Sequence, residues 1–322
     1  MKSPKVSVIV AAYNCAHFIE ETIRSVLVQS FRDFELIVVD DGSTDGTGEI
    51  IRRAAAMDTR IKPITQNNSG TAGGARNAGL RVATGAYVSF LDGDDTYHPQ
   101  KLELESAILD RHDEVGMVFH DFQLMDQGGK VFPGTYLGNC SYLKRAGSAL
   151  EQIGEYEFIS TELFYPFMTT EVTGIHTSSV MVRRGALPQN ELVFDPLQPI
   201  GEDIDLWFRV AFRSRVAYLD RVLSYYRQHP DSVTRNLERL ATGFIFAHSK
   251  NLERAKTRLN THQINICKKK LAAQWFEVGH HQRVRGARSQ SVRSFLKSLV
   301  ISFSAKTLIA LIKTISGIKP RT

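Results

Sequence analysis

The sequence predicts an α/β protein: a mainly parallel sheet flanked by helices, followed by a helical, basic C-terminal extension. Three observations carry this. Apolar, β-branched runs alternate with segments of helical periodicity. Acidic and amide residues stand immediately after the apolar runs. The charge balance then changes sign near residue 240.

Residues 6–12 (VSVIVAA) form an unbroken apolar run, as expected of a strand buried on both faces. Residues 16–29 place Ile19, Ile23, Val26 and Leu27 at helical spacing. Phe34–Val39 is a second strand. Ser43, Thr44 and Asp45 offer capping groups for a helix through Ile50 and Ile51. Ile61–Thr65 is a short third strand, and a glycine-rich segment leads into a helix near 74–83. Tyr87–Leu91 is a fourth strand, and Pro99 stands where it could open the next helix. From 115 to 235 the pattern is less regular, with strands at Val115–His120 and Ser178–Val182 and a helix at Asp203–Phe212. Residues 1–240 are expected to form one domain, with halves 1–115 and 116–240, and residues 241–322 a helical basic region.

Length and composition suit a folded protein: 322 residues, 43% hydrophobic and 23% charged, exclude a disordered chain. The three cysteines, Cys15, Cys140 and Cys267, are far apart. Their spacing matches no zinc site and their odd number no disulfide framework, so a reducing, cytoplasmic setting is expected. The first apolar run is too short and lacks the cleavage pattern of a signal peptide. No uncharged apolar stretch has the length of a membrane span. Residues 250–322 hold sixteen lysines and arginines against Glu253 and Glu277, so the rest of the chain is net acidic although the whole carries +6.

In a parallel sheet, ligands bind beyond the carboxyl ends of the strands. Asn14 follows the first strand, Asp40 and Asp41 the second, and Asp92, Gly93, Asp94 and Asp95 the fourth. Three carboxylates in four positions repel one another unless a cation joins them. A hard divalent ion, Mn²⁺ or Mg²⁺, suits such oxygens. A solvated acidic turn capping the following helix is the alternative, with Asp95 as its structural member. The 38–45 segment (VVDDGSTD) can accept hydrogen bonds from a base or ribose, or can serve simply as a turn and helix cap. The segment 67–79 (NNSGTAGGARNAG) is neither a Walker loop nor GxGxxG. Its glycines permit close backbone approach. Arg76 there offers a fork for a phosphate or nucleoside, or pairs with a neighbouring Asp.

Taken in order, VSVIVAAYN (6–14), VVDDGSTDGT (38–47), ARNAGL (75–80) and FLDGDD (90–95) resemble the inverting family 2 glycosyltransferases, strongly over about the first 120 residues. The resemblance implies the Rossmann-like A-type glycosyltransferase fold and a nucleotide diphosphate sugar donor, with a UDP-sugar first among the options. It places Ala12, Tyr13, Asn14, Asp40, Asp41, Arg76, Asp92 and Gly93 at the nucleotide. Asp40 or Asp41 would meet the base, Asp92 the ribose, and Asp94 the metal that bridges the two phosphates. Further on, TSSVMVRR (177–184) resembles the strand before the acceptor region. GEDIDLWFR (201–209) resembles the motif whose second acid, Asp203, is the general base. YRQHPDSVT (226–234) resembles the stretch whose Arg227 or His229 approaches the diphosphate.

The Gln-x-x-Arg-Trp motif of processive polymerising members is missing, so transfer of single sugars to a carbohydrate or glycolipid acceptor is expected, in surface polysaccharide or glycolipid synthesis. A sugar nucleotidyltransferase and a non-catalytic nucleotide-sugar-binding module are the rival readings. The first would need a glycine-rich N-terminal loop where Ala11, Ala12, Tyr13 and Asn14 stand. The second would have no need of Asp203 beside the Asp92 and Asp94 pair.

Residues 292–315 carry Phe295, Leu299, Phe303, Leu308, Leu311, Ile312 and Ile315, with Lys297, Lys306 and Lys313 between them. Such a stretch can lie on an anionic membrane surface, or pack its apolar face on the catalytic domain. Arg283, Arg285, Arg288 and the lysines at 268–270 add to the attraction. Nucleic acid is the weakest partner, since no binding motif accompanies the charge.

Overall fold

A computed structural model describes residues 3–171, 174–188, 191–198, 200–230, 232 and 236–318. The elements, in chain order, are β1 (Val6–Ala12), α1 (Ile19–Leu27), β2 (Phe34–Asp40), α2 (Thr47–Met57), β3 (Ile61–Thr65), α3 (Ala72–Val82), β4 (Tyr87–Asp92), β5 (Thr96–Tyr97), α4 (Lys101–Arg111) and β6 (Val115–Met125). They continue with α5 (Tyr136–Asn139), α6 (Tyr142–Ala146), β7 (Leu150–Gln152), β8 (Glu157–Ser160), α7 (Phe164–Thr170), β9 (Val180–Arg183), α8 (Glu202–Arg213) and β10 (Arg215–Arg227). Four helices end the chain: α9 (Leu237–Ala255), α10 (Thr261–Val284), α11 (Arg288–Ile301) and α12 (Ala305–Ile315).

The chain divides into two compact units. The first comprises residues 1–165, 173–199 and 206–229, and the second residues 166–172, 200–205 and 230–322. Among the described residues, the first unit holds one ten-stranded sheet in the order β3-β2-β1-β4-β9-β6-β10-β8-β7, with β5 paired to β10. The β3-β2-β1-β4 half is parallel throughout. Beyond it β9 runs antiparallel to both β4 and β6, and β10 runs parallel to β6. The sheet is thus mixed around a parallel core. A single turn at Thr177–Ser179 leads directly into antiparallel β9.

Alternation along β1 shows why helices cover both faces. Val6, Val8 and Val10 pack with Ile19 and Ile23 of α1, Ile51 of α2, and Leu102 and Ile108 of α4. Ile9 points the other way, against Gly79 of α3. A Cβ on Gly79 would lie 2.5 Å from the Ile9 side chain, so only glycine lets this helix settle so close.

Two helix starts differ from expectation. The α2 N-cap is Gly46, in a left-handed conformation with φ 93° and no side-chain cap bond. Asp45 turns back instead: its Oδ1 accepts from the Thr47 N–H and hydroxyl, and its Oδ2 from the Ala16 N–H. Pro99 stands two residues ahead of α4, whose N-cap is Gln100. The α3 cap, Thr71, accepts from the Gly74 N–H. The predicted single tail helix over 292–315 is two helices, separated at Ser302–Ser304.

A fully buried polar network ties the sheet together below its acidic end. Lys101 Nζ donates to Ser89 Oγ and to Glu105 Oε2. Glu105 Oε1 meets His120 Nδ1 at 2.8 Å, and His120 Nε2 meets Ser224 Oγ at 2.9 Å. Burial pushes the His120 imidazole down to about 4, against the opposing pull of Glu105. In the second unit, burial and Lys270 push His248 down to about 4 as well. Both are neutral in the folded protein at neutral pH. Because the unfolded chain takes up their protons first, stability should fall as pH drops from about 6.5 towards about 4. Urea midpoints measured across that range test this, and His120→Gln should flatten the slope. A midpoint indifferent to pH there would contradict the buried, neutral state.

Candidate active site

The carboxyl ends of β1, β2 and β4 carry the polar residues picked out in the sequence, and hydrogen bonds knit them into one rim. After β1, Asn14 takes a left-handed conformation with φ 48°. There its N–H donates to Ser43 Oγ and its Oδ1 accepts from the Thr44 N–H, tying β1 to the loop after β2. The Asp41 N–H donates to the Ala12 carbonyl at 2.8 Å, and the Gly93 N–H to the Ala11 carbonyl at 3.0 Å. Tyr13, 52% exposed, stands at the open edge. Gly93 must be glycine, because a Cβ would lie 2.8 Å from Cys15 Sγ and 3.0 Å from the Ala11 carbonyl oxygen. Burial, reinforced by the charge of Asp94, pushes the Cys15 thiol up to about 12.

Asp40 and Asp41 are both buried. Asp40 Oδ1 accepts from the Ser43 N–H. Asp41 accepts from the Ser69 N–H and hydroxyl and from Gln66 Nε2, which fixes the glycine-rich loop before α3. Arg76 follows the second of its two readings. It is buried, and its Nη2 donates to Asp92 Oδ1 at 2.5 Å. Burial would raise the Asp92 carboxyl, but the charges of Arg76 and His176 outweigh it and hold the group below its usual range.

Asp95 is fully buried. Its Oδ2 accepts from Ser178 Oγ at 2.6 Å and its Oδ1 from the Arg227 N–H at 3.0 Å. Burial, then the charges of Asp94 and Asp92, push this carboxyl well above its normal range. Asp94 Oδ2 meets His229 Nε2 at 2.9 Å. The His229 ring packs on Phe18 of α1 with centroids 5.1 Å apart.

Arg227, expected at the diphosphate, is held by contacts within the first unit. It is 1% exposed. Its Nε donates to the Asp94 carbonyl, Nη1 to the Gln127 carbonyl, and Nη2 to Glu21 Oε2, while the guanidinium lies over the Phe18 ring. All three nitrogens are engaged within the protein, so Arg227 fastens the acidic turn from behind. The distal part of the 226–234 stretch (231, 233 and 234) lies outside the described residues.

Asp203 belongs to the second unit, in the first turn of α8 with Glu202 and Asp205. Asp203 Oδ1 accepts from the Ile204 N–H at 2.8 Å. Asp205 is buried, 3.5 Å from Lys250 and 3.8 Å from Arg254. The other sequence-picked residues, from Ala12 to His229, all lie in the first unit.

Sequence reasoning missed His176, Ser178, Phe18 and Glu21. The partners that hold them at the rim are 50 or more residues away along the chain, so no local spacing announces them. His176 packs against Tyr226 at 4.3 Å and Phe122 at 5.2 Å between ring centroids. One ligand atom each from Asp92, Asp95 and His176 lie within 4.8 Å of one another. Asp94, the expected metal ligand, is not one of the three and meets His229 instead; the donors of the group are two carboxylate oxygens and an imidazole nitrogen. That set fits a hard or borderline divalent ion, which would offset the burial, and then the repulsion from Asp94 and Asp92, that raise Asp95.

The profile of the family "Glycosyl transferase family 2" matches residues 7–187, and the chain belongs to that family. An uncharacterized glycosyltransferase of Nostoc sp. is 34% identical over 230 residues, which are 70% of this chain and 65% of that protein. The uncharacterized glycosyltransferase EpsJ of Bacillus subtilis is 32% identical over 240 residues, 72% of this chain and 63% of its own. TuaG, the putative teichuronic acid biosynthesis glycosyltransferase of Bacillus subtilis, is 40% identical over 126 residues, 39% of this chain and 50% of its own. The chain therefore spans less than two thirds of these relatives' length.

Among solved structures, S. aureus TarS 1-349 in complex with UDP-GlcNAc superposes with a TM-score of 0.67 at 19% identity, covering 97% of this chain and 87% of that one. The mannosyltransferase PcManGT from Pyrobaculum calidifontis, in complex with GDP-Man and Mn²⁺, superposes at 0.57 with 18% identity, covering 99% and 89%. These likenesses establish the fold.

Replacing Arg227 by Met should leave the Asp94 and Gln127 carbonyls without their donor while Glu21, about half exposed, rehydrates. Gln127 is exposed and rehydrates as well, so at ~1–3 kcal/mol for one buried polar group left unpaired the loss should be about 1–3 kcal/mol. Urea denaturation at neutral pH measures it. A variant as stable as the parent would mean the acidic turn is held by other contacts.

Proposed function

We propose that the protein is an inverting glycosyltransferase that moves a sugar from a nucleotide diphosphate donor, a UDP-sugar before others, to a hydroxyl of a carbohydrate or glycolipid acceptor. The observation that carries this reading is the acidic turn Asp92 to Asp95 at the end of β4, bonded into one rim with the ends of β1 and β2. Relatives named for teichuronic acid biosynthesis support an acceptor in surface polysaccharide synthesis. Neighbours solved with UDP-GlcNAc and with GDP-Man and Mn²⁺ support the donor class and the ion.

In this reading Ala12, Tyr13, Asn14, Asp41 and Gly93 frame the nucleoside, with Asp40 and Arg76 acting through the groups they hold. Asp92, aligned by Arg76, faces the ribose. Asp94 holds Mn²⁺ or Mg²⁺, with His229 oriented by Phe18 at its side. The ion, when bound, would offset the charge that grows on the diphosphate as the glycosidic bond breaks. Asp203 takes the proton from the acceptor hydroxyl as its oxygen attacks the sugar from the face opposite the leaving group. One displacement inverts the anomeric centre.

Two variants separate the roles. Asp203→Asn should lower transfer at least ~100-fold, the lower range for loss of a general base, with donor affinity by calorimetry nearly unchanged. Asp94→Ala should abolish the Mn²⁺ dependence of donor binding. A panel of UDP-, GDP- and dTDP-sugars, followed by release of the nucleoside diphosphate, identifies the donor. Full turnover in Asp203→Asn would remove that residue from the mechanism. Donor binding with neither transfer nor hydrolysis would favour a binding module.

A further inference from the structure

The last two helices turn large apolar side chains outwards as well as inwards. Facing inwards, α11 buries Phe295 with Ser291, Ser294 and Ser298, and α12 buries Ala310 and Leu311 with Thr307 and Thr314. These hydroxyls are satisfied on the spot. Ser291 Oγ donates to the Gly279 carbonyl and Ser298 Oγ to the Ala272 carbonyl, both on α10, and Thr314 Oγ1 donates to the Ala310 carbonyl. Facing outwards are Leu296, Val300, Phe303, Ile309, Ile312 and Ile315, which are 47%, 86%, 74%, 53%, 53% and 54% exposed. A helix surrounded by water keeps such large apolar residues off its outer face. Small and hydroxylated residues between helices, with large apolar ones outside, is how helices pack in lipid.

Charge selects the occupant of this face. No acidic residue follows Glu277, and the chain from 278 to 322 carries nine lysines and arginines. Lys297 and Lys306 are exposed beside the apolar face, each held over an aromatic ring of α10: Trp275 at 4.1 Å and Phe276 at 4.3 Å. A second copy docked face to face would bring these like charges together, whereas anionic headgroups complement them. Neither helix can span a bilayer. At ~1.5 Å per residue, α11 and α12 measure only ~21 and ~17 Å, against ~30 Å of hydrocarbon. Among the described residues, no helix is long and apolar enough to cross a membrane.

We infer that α11 and α12 form an interfacial anchor. Their outer face enters the headgroup boundary of an anionic bilayer, and Lys297, Lys306 and Lys313 contact the phosphates.

Co-sedimentation of the full chain with vesicles tests this. Phosphatidylcholine mixed with phosphatidylglycerol should retain the protein, phosphatidylcholine alone much less, and high salt should weaken retention. The variant V300S/F303S/I312S changes only side chains already more than half exposed, so its circular dichroism should match the parent while retention is lost. K297Q/K306Q/K313Q should lower partition into the anionic vesicles ~10- to 100-fold, following the usual contribution of each basic residue near such a surface. The inference is overturned if the parent ignores anionic vesicles, or if both folded variants sediment with them as the parent does. It is equally overturned if sedimentation velocity shows a dimer that the serine variant dissolves while vesicles bind neither protein, for then a second copy covers this face.

Discussion

Repulsion among Asp92, Asp94 and Asp95, and the means by which it is contained, is the constraint around which the first unit is arranged. Three carboxylates in one turn are unfavourable in any fold. Arg76 from α3 offsets Asp92, and His229 after β10 meets Asp94. Asp95 is received by Ser178 and by the backbone of Arg227. The groups that restrain the turn thus come from α3, from the turn before β9 and from β10, so the turn is complete only when the whole sheet is. Arg227 reinforces this by joining the turn's carbonyl to Glu21 of α1. A cation bound among the acids would supply charge that the protein provides only in part.

Below the turn, the Lys101, Glu105, His120 and Ser224 network does for the sheet what Arg227 does for the turn. It links α4 to β6 and β10 with no solvent contact. Buried ion pairs stabilise weakly but penalise alternatives strongly, because a partial set leaves a bare charge in the core. In this chain the network fixes the register of β10 against β6 next to the shifts between Leu219 and Ser224.

The parallel half was legible because its strands are unbroken apolar runs and its site residues follow them directly. β10 was not read as a strand. Asp220 and Arg221 interrupt its apolar pattern where the pairing with β6 shifts, so the sequence resembles two fragments. β7 and β8 are three and four residues long, too short for periodicity to register. Acidic residues pointed to the site, whereas its supporting cations and hydroxyls did not, because Arg227 and His176 gain meaning only from distant partners. By residue type Arg76 suited a phosphate, a nucleoside or a neighbouring Asp, and its position pairs it with Asp92. In the tail, the apolar residues suggested one face, for a membrane surface or for packing on the catalytic domain. The break at Ser302–Ser304 and the inward serines and threonines divide them, so Phe295 and Leu311 are buried while Phe303, Ile312 and Ile315 face out.

Cys15 lies behind Gly93, close to the acids and shut off from solvent. With its proton held until about pH 12, the sulfur stays an uncharged, weakly coordinating atom. An electrophile from solvent therefore meets no thiolate here. The same burial that keeps the glycine contact tight leaves carboxylate and imidazole, not sulfur, facing the rim.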